Sequence, residues 1–226
     1  MTYTLNPLLR FLQVYDDAAA KMGIRLSIGC DFNEYIAITA SLADKPNTYP
    51  IFRPDRSPIR TGEGYWLVGF DKENKVALVE AARFYDLSQT TLAAHLETLK
   101  FFYANPTIDA HPEDRCVCTA QMARSITGKV VYHGDIWIRP DFRGSGLLKI
   151  MTGTMRGVSL AMWAPDFLCG LAGRWSLDKN VYDPVHNEPG GADIHLVQEN
   201  IVANDWLFWM TGYELKQLLD VTPDLN

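Results

Sequence analysis

The sequence predicts an α+β fold, a mixed sheet flanked by helices, and three observations carry that expectation. Two runs rich in β-formers, Tyr65 to Phe70 and Val76 to Tyr85, are separated by the polar stretch DKENK and read as an antiparallel hairpin. The run Lys129 to Arg139 leads through a glycine-bearing loop into a helical pattern from Gly144 to Trp163. After Pro165 comes the apolar run Phe167 to Ala172, which completes a β-loop-α-β unit. Helical spacing also recurs in LLRFLQVYDDAAAKMG near the start and in Thr90 to Tyr103.

Taken in order, Asn6-Pro7 opens the first helix, whose apolar residues Leu8, Leu9, Leu12, Val14, Tyr15 and Ala19 fall mostly at helical spacing, and Gly23 stops it. Ile24 to Ile28 alternates like a short strand, and Phe32 to Leu42 fits helix or strand. Ala43 to Gly64 holds four prolines and two glycines, which predicts a long surface loop placed to cover a substrate site. In Thr90 to Tyr103 the residues Leu92, Leu96, Leu99 and Phe102 keep helical spacing until Pro106, and Thr107 to Thr127 is less regular. The helix after the glycine loop aligns Leu147, Ile150, Met151, Met155, Val158 and Met162 on a core face. Two more strand-like runs, Ile194 to Val202 and Trp206 to Tyr213, follow a loop containing Gly190-Gly191, with Asn204-Asp205 read as the turn between them. Of the C-terminal aromatics Trp206, Phe208, Trp209 and Tyr213, half suit a core by alternation, and the rest suit an acceptor pocket or a homodimer face.

With 226 residues and 47% hydrophobic composition, the chain can bury the core of one large domain, residues 1–226. A net charge of -6 and the lack of any Lys/Arg stripe argue against nucleic acid as a partner. No apolar run is long enough for a membrane span and the N-terminus lacks a leader pattern, so a cytoplasmic, membrane-free protein is expected. Cys116 and Cys118 form a CxC pair with only His111 nearby, and no second pair completes a metal site. No metal is expected.

The chemistry sits in IWIRPDFRGSGLL, Ile136 to Leu148. Arg143-Gly144-Ser145-Gly146 follows a strand at the point where a helix begins, so unobstructed backbone N–H groups and the positive helix end converge on an anion, with Arg143 adding a full charge. Gly-x-Gly-x-x-Gly with a downstream acid and the Walker Gly-Lys-Ser/Thr are both missing.

Strand, Pro140, Phe142, Arg143-Gly144-Ser145-Gly146-Leu147 and helix together resemble motif A of the GNAT acyl-CoA transferases, with Leu148 departing from the pattern at the position where the family has Gly or Ala. The resemblance implies a GNAT-like mixed, mostly antiparallel sheet, better matched over 64–215 than over the divergent 1–63. It implies acetyl-CoA or another acyl-CoA as cosubstrate, its pyrophosphate held by Arg143, Gly144, Ser145, Gly146, Leu147 and Leu148. Its pantetheine arm would pair with the main chain of Ile136, Trp137 and Ile138. It further implies transfer of an acyl group, acetyl by expectation, to an amine of a small molecule or peptide, with Tyr182 as acid. Asp135 or Glu80 would serve as base, and His133 is a further base candidate. Alternation places Asp135 beside Arg139, an ion pair as its plain structural role, and leaves Glu80 exposed. Two other readings stay open: a GNAT-like module that binds CoA without turnover, and an unrelated nucleotide-phosphate-binding protein.

Overall fold

A computed structural model of the chain describes residues 6–180, 182 and 185–220. Helix α1 (Pro7–Lys21), capped by the Asn6 side chain, precedes strand β1 (Arg25–Gly29) and helix α2 (Phe32–Ala40), whose N-terminus the Asp31 carboxylate caps. The ambiguous segment after Gly29 is therefore a helix. Next come the hairpin β2 (Gly64–Phe70) and β3 (Val76–Asp86), the short helices α3 (Leu92–Glu97) and α4 (Pro106–Asp109), and strand β4 (Arg115–Val117). Strand β5 (Lys129–Ile138), helix α5 (Leu147–Trp163) and strand β6 (Phe167–Ala172) form the expected β-loop-α-β unit. Helix α6 (Arg174–Leu177), strands β7 (His186–Leu196) and β8 (Ile201–Thr211) and helix α7 (Gly212–Gln217) complete the described chain.

The eight strands among the described residues join one sheet in the order β1-β2-β3-β5-β6-β8-β7-β4. Every pairing is antiparallel except β5 with β6, so the sheet is mixed and mostly antiparallel, as the sequence predicts. Alternation along β2 sends Tyr65 and Leu67 to one face and Trp66 and Val68 to the other. The first face is covered by α1 and α5, through Phe11, Tyr15, Leu147, Met151 and Met155. Gly153 permits this packing, since a Cβ there would stand 2.1 Å from the Tyr15 ring. The second face is covered by α2, by segment 49–59 and by the aromatic group Phe101, Phe102 and Tyr103.

Several expectations are corrected. Leu9 and Val14 of α1 are exposed, and Phe11, Tyr15 and Ala19 make the buried stripe. Segment 43–63 is no simple surface loop. Ile51 and Phe52 are buried, and the buried Arg83 donates to the Ile51 carbonyl at 2.6 Å, to Ser57 Oγ at 2.8 Å and to the Pro58 carbonyl at 2.9 Å. The chain there is a strap sewn onto β3. The helix expected to Tyr103 stops at Glu97, because Leu99 turns to φ +60° and the three aromatics fold under the sheet instead. Asn204-Asp205 is not a turn but lies within β8, while the chain reverses at 197–200; Gly190-Gly191 lies within β7, at an irregularity between Glu188 and Ala192.

Candidate active site

The loop between β5 and α5 has the features of an anion cradle. After the 3-10 turn Pro140–Phe142, Gly144 and Gly146 take φ +75° and +87°, a region that suits glycine, and a Cβ at either would meet nothing within 4 Å. Among the described residues the N–H groups of Gly144, Gly146 and Leu148 donate to no acceptor in the chain, and they sit at the positive end of the 17-residue α5. Arg139 braces the entry through Asp71 at 2.7 Å and Asp141 at 2.8 Å, its guanidinium lying over the Phe142 ring. Arg143 spends its Nε on the Ile138 carbonyl, and the rest of its guanidinium is exposed. Ser145 Oγ donates to the Phe142 carbonyl, which tightens the turn. Leu147 is buried, and Leu148 packs into the α1/α5 core, so its side chain leaves the loop clear while its amide stays available.

A split in the sheet adjoins the cradle. Strand β6 pairs with β8 from Phe167 to Ala172, but with β5 only from Val130 to Tyr132. Beyond that point β5 keeps β3 on one side and has no strand on the other among the described residues. Ile136, Trp137 and Ile138 lie along this open edge, the isoleucines packed toward α1 and α5 and the tryptophan buried on the opposite face.

Within the open stretch β5 carries a bulge. Ala81 pairs with Gly134 and Val79 with Trp137, so β5 has one residue too many there, and Asp135 absorbs it at φ +56°. The bulge reverses the alternation. Val131 and His133 face α5, whereas Asp135 faces the strap, away from Arg139. Asp135 accepts from Lys45 Nζ at 2.8 Å, Tyr35 at 2.7 Å and Thr48 at 3.3 Å, in a pair whose side chains are 2% and 4% exposed. Burial pushes its carboxyl above the ordinary value, and the three donors pull it partly back. Glu80, expected to be exposed, is buried under α5. One oxygen lies 3.4 Å from His133 Nδ1 and the other has no hydrogen-bond partner. His133 continues to Ser159 at 2.8 Å, and Ser159 to Tyr65 at 2.9 Å.

Tyr182 lies past α6, outside any helix, its ring stacked on Phe208 with centroids 4.5 Å apart. Burial raises its phenol to about 12; the Glu80 and Asp205 charges push the same way and Ser176 opposes them. Asp205, on the strap face of β8 opposite Ala192, also raises the phenols of Tyr49 and Tyr132. Tyr182 thus stacks on the face of β8 that bears Phe208, whereas Asp205 alternates onto the face of Leu207, and Asp135 is held to the strap. Sequence reasoning missed Asp205 because Asn-Asp reads as turn punctuation; its place two residues before Leu207 on a core-facing alternation was the available signal.

Among the described residues no three or more His, Cys, Asp or Glu side chains are grouped to hold a metal, and no helix is long and apolar enough to cross a membrane. Cys116 and Cys118 pack in the core, with burial holding Cys116 up at about 12.

The mixed, mostly antiparallel sheet flanked by helices and the glycine loop at the start of α5 agree with the architecture that the motif implied. No family model matches the sequence, and no curated protein matches it in sequence. Among solved structures the chain is similar to NAA60 of Arabidopsis thaliana in complex with acetyl-CoA, at 11% identity over 83% of this chain and 98% of that one, with a TM-score of 0.47. It is similar to FeeM, an N-acyl amino acid synthase from uncultured soil microbes, at 11% identity over 88% and 98%, with a TM-score of 0.49. A third likeness is to a GNAT superfamily phosphinothricin acetyltransferase of Sinorhizobium meliloti in complex with acetyl-CoA, at 13% identity over 84% and 89%, with a TM-score of 0.44.

Proposed function

We propose that this chain is an acyl-CoA-dependent N-acyltransferase of the GNAT type, taking acetyl-CoA and an amine of a small molecule or peptide. The observation that carries the reading is the adjacency of two unspent sets of backbone groups: the N–H groups of Gly144, Gly146 and Leu148 at the start of α5, and the open edge of β5 beyond Tyr132. A pyrophosphate suits the first, with Arg143 supplying charge, and an extended pantetheine arm suits the second by adding to the strand edge at Ile136, Trp137 and Ile138. The cradle fits a diphosphate because open space stands where any side chain at residues 144 and 146 would project.

In this reading Tyr182 protonates the departing thiolate. A phenol held near 12 keeps its proton at neutral pH and has one to give. Of the carboxylates nominated as base, Glu80 is assigned a charge that adds to burial in keeping Tyr182 protonated, with His133 fixing its orientation, and Asp135 is assigned the anchoring of the strap through Lys45. Calorimetry with acetyl-CoA, CoA and ATP tests the cradle. Binding of acetyl-CoA and CoA but not ATP is expected; millimolar acetyl-CoA without heat would end this reading. A CoA-binding module without turnover is the second reading, favoured by the engagement of both nominated carboxylates. Release of free thiol in the presence of amines separates the two.

A further inference from the structure

Tyr182 and the cradle ride on different sides of the split. Phe208, on which the Tyr182 ring stacks, pairs with Gly170, the first residue of β6 beyond the seam with β5. A Cβ at Gly170 would stand 2.3 Å from the Phe208 ring and 2.8 Å from the His133 carbonyl oxygen, so the glycine lets that ring lie over the point where the split begins. Tyr182 therefore borders the split from the β6 and β8 side, packed on the cluster of Ala172, Leu177 and Phe208. The cradle and the open edge of β5 belong to the other side, where α5 packs on β2, β3 and β5. Groups carried on two bodies keep a fixed spacing only if something ties the bodies together.

One side chain crosses. Arg156 of α5 donates through Nη2 to the Tyr182 carbonyl at 2.5 Å, 26 positions away. Tyr182 lies outside helix and strand, and among the described residues no other hydrogen bond reaches its main chain. Arg156 is 5% exposed and is the only charged side chain among the buried residues of α5. Taking a guanidinium out of water merely to fill space is costly, since an aliphatic side chain would fill it without that cost. Arg156 also lies eight residues past Leu148, the last donor of the cradle, which is about 12 Å along a stiff helix. On the acyltransferase reading above, we infer that Arg156 is a positioning residue: through the Tyr182 carbonyl it fixes that tyrosine relative to the cradle at the start of its own helix. Losing the tie costs rate rather than acetyl-CoA affinity, because the cradle donors stay where α5 places them.

The role is tested with and without turnover. In proton–carbon spectra of chain labelled at its tyrosines, the Tyr182 ring resonance is identified by its loss in Tyr182→Phe. Arg156→Met is expected to move that resonance toward the position of an exposed tyrosine, as the stack on Phe208 loosens, while the resonances of Tyr65 and Tyr103 stay in place. In thiol release with acetyl-CoA and an amine panel, Arg156→Met is expected to lose about tenfold in kcat with acetyl-CoA affinity by calorimetry within about twofold of wild type. In the Tyr182→Phe background the same substitution should change kcat by less than about twofold, because a phenol that is absent cannot be misplaced. Arg156→Gln is read identically if the methionine variant fails to fold. An unmoved Tyr182 resonance, a shift shared by all the tyrosines, or an equal kcat loss in both backgrounds overturns the role. A wild-type chain that binds no acetyl-CoA, or binds it and releases no thiol, removes the acyltransferase reading instead, and the Tyr182 resonance still decides whether Arg156 sets that side chain.

Discussion

The cradle at the start of α5 and the bulge in β5 lie on one strand-loop-helix unit, yet they use their polar groups in opposite ways. In the cradle three backbone donors and most of a guanidinium are left without partners among the described residues, and all of these groups lie within residues 138–148. At the bulge the Asp135 charge is paired by groups 87 to 100 positions away, Lys45, Thr48 and Tyr35. Unspent groups at a surface await a ligand; spent ones in the interior hold the chain to itself. Substitutions in the cradle should therefore change affinity and leave stability alone, and substitutions at the bulge should do the reverse.

The largest effect is expected at the bulge. Lys45→Met leaves a buried carboxylate without its cation and should cost about 3–5 kcal/mol, on the order of 10 °C in thermal unfolding for a chain of this size. Adding Asp135→Asn should restore most of that loss; a double variant as unstable as the single one would show that the pair is not what fastens the strap. Tyr182→Phe should lower turnover about 100-fold with acetyl-CoA affinity unchanged, and unaltered thiol release would remove the tyrosine from its role. Arg143→Glu should weaken acetyl-CoA about tenfold or more in calorimetry while the melting temperature stays within about 2 °C, which is the contrast stated most directly. A smaller effect belongs to a region outside both. Thr211 and Glu214 form a capping box on α7, so Thr211→Ala should cost about 1 kcal/mol. The backbone of Thr211 and the ring of His186 hold the Glu214 carboxyl down at about 2 from its ordinary 4.5. A depressed carboxyl stabilises the fold above its unfolded value, so this contribution should fade as pH falls from 4.5 toward 2, visible as a stability slope that Glu214→Gln makes shallower.

The same contrast explains what could be read in advance. Loop 138–148 is legible because its donors, its glycines and the helix start are neighbours in sequence, and the hairpin and the β-loop-α-β unit follow from local periodicity for the same reason. The bulge is not legible. One extra residue in β5 reverses every side chain after it, and only the pairing with β3 reveals the insertion. Asp135 was accordingly expected beside Arg139 and Glu80 in water, and both lie buried. The strap looked like a solvated loop because its prolines and charges dominate composition, while Arg83, 25 to 32 residues away, supplies the bonds that pin it. Asp205 was hidden by a propensity that fits turns and lost here to the pairing of β8 with β6 and β7.

The three-residue contact between β5 and β6 has a mechanical meaning as well. Among the described residues four strands lie on either side of it, β1-β2-β3-β5 and β6-β8-β7-β4, and pair across it only through Val130–Tyr132, so the sheet is two plates joined by a short seam. A molecule laid along the open edge would lengthen that seam with its own amides. The cosubstrate would then serve as a removable splint, and resistance to unfolding would climb with the logarithm of its concentration.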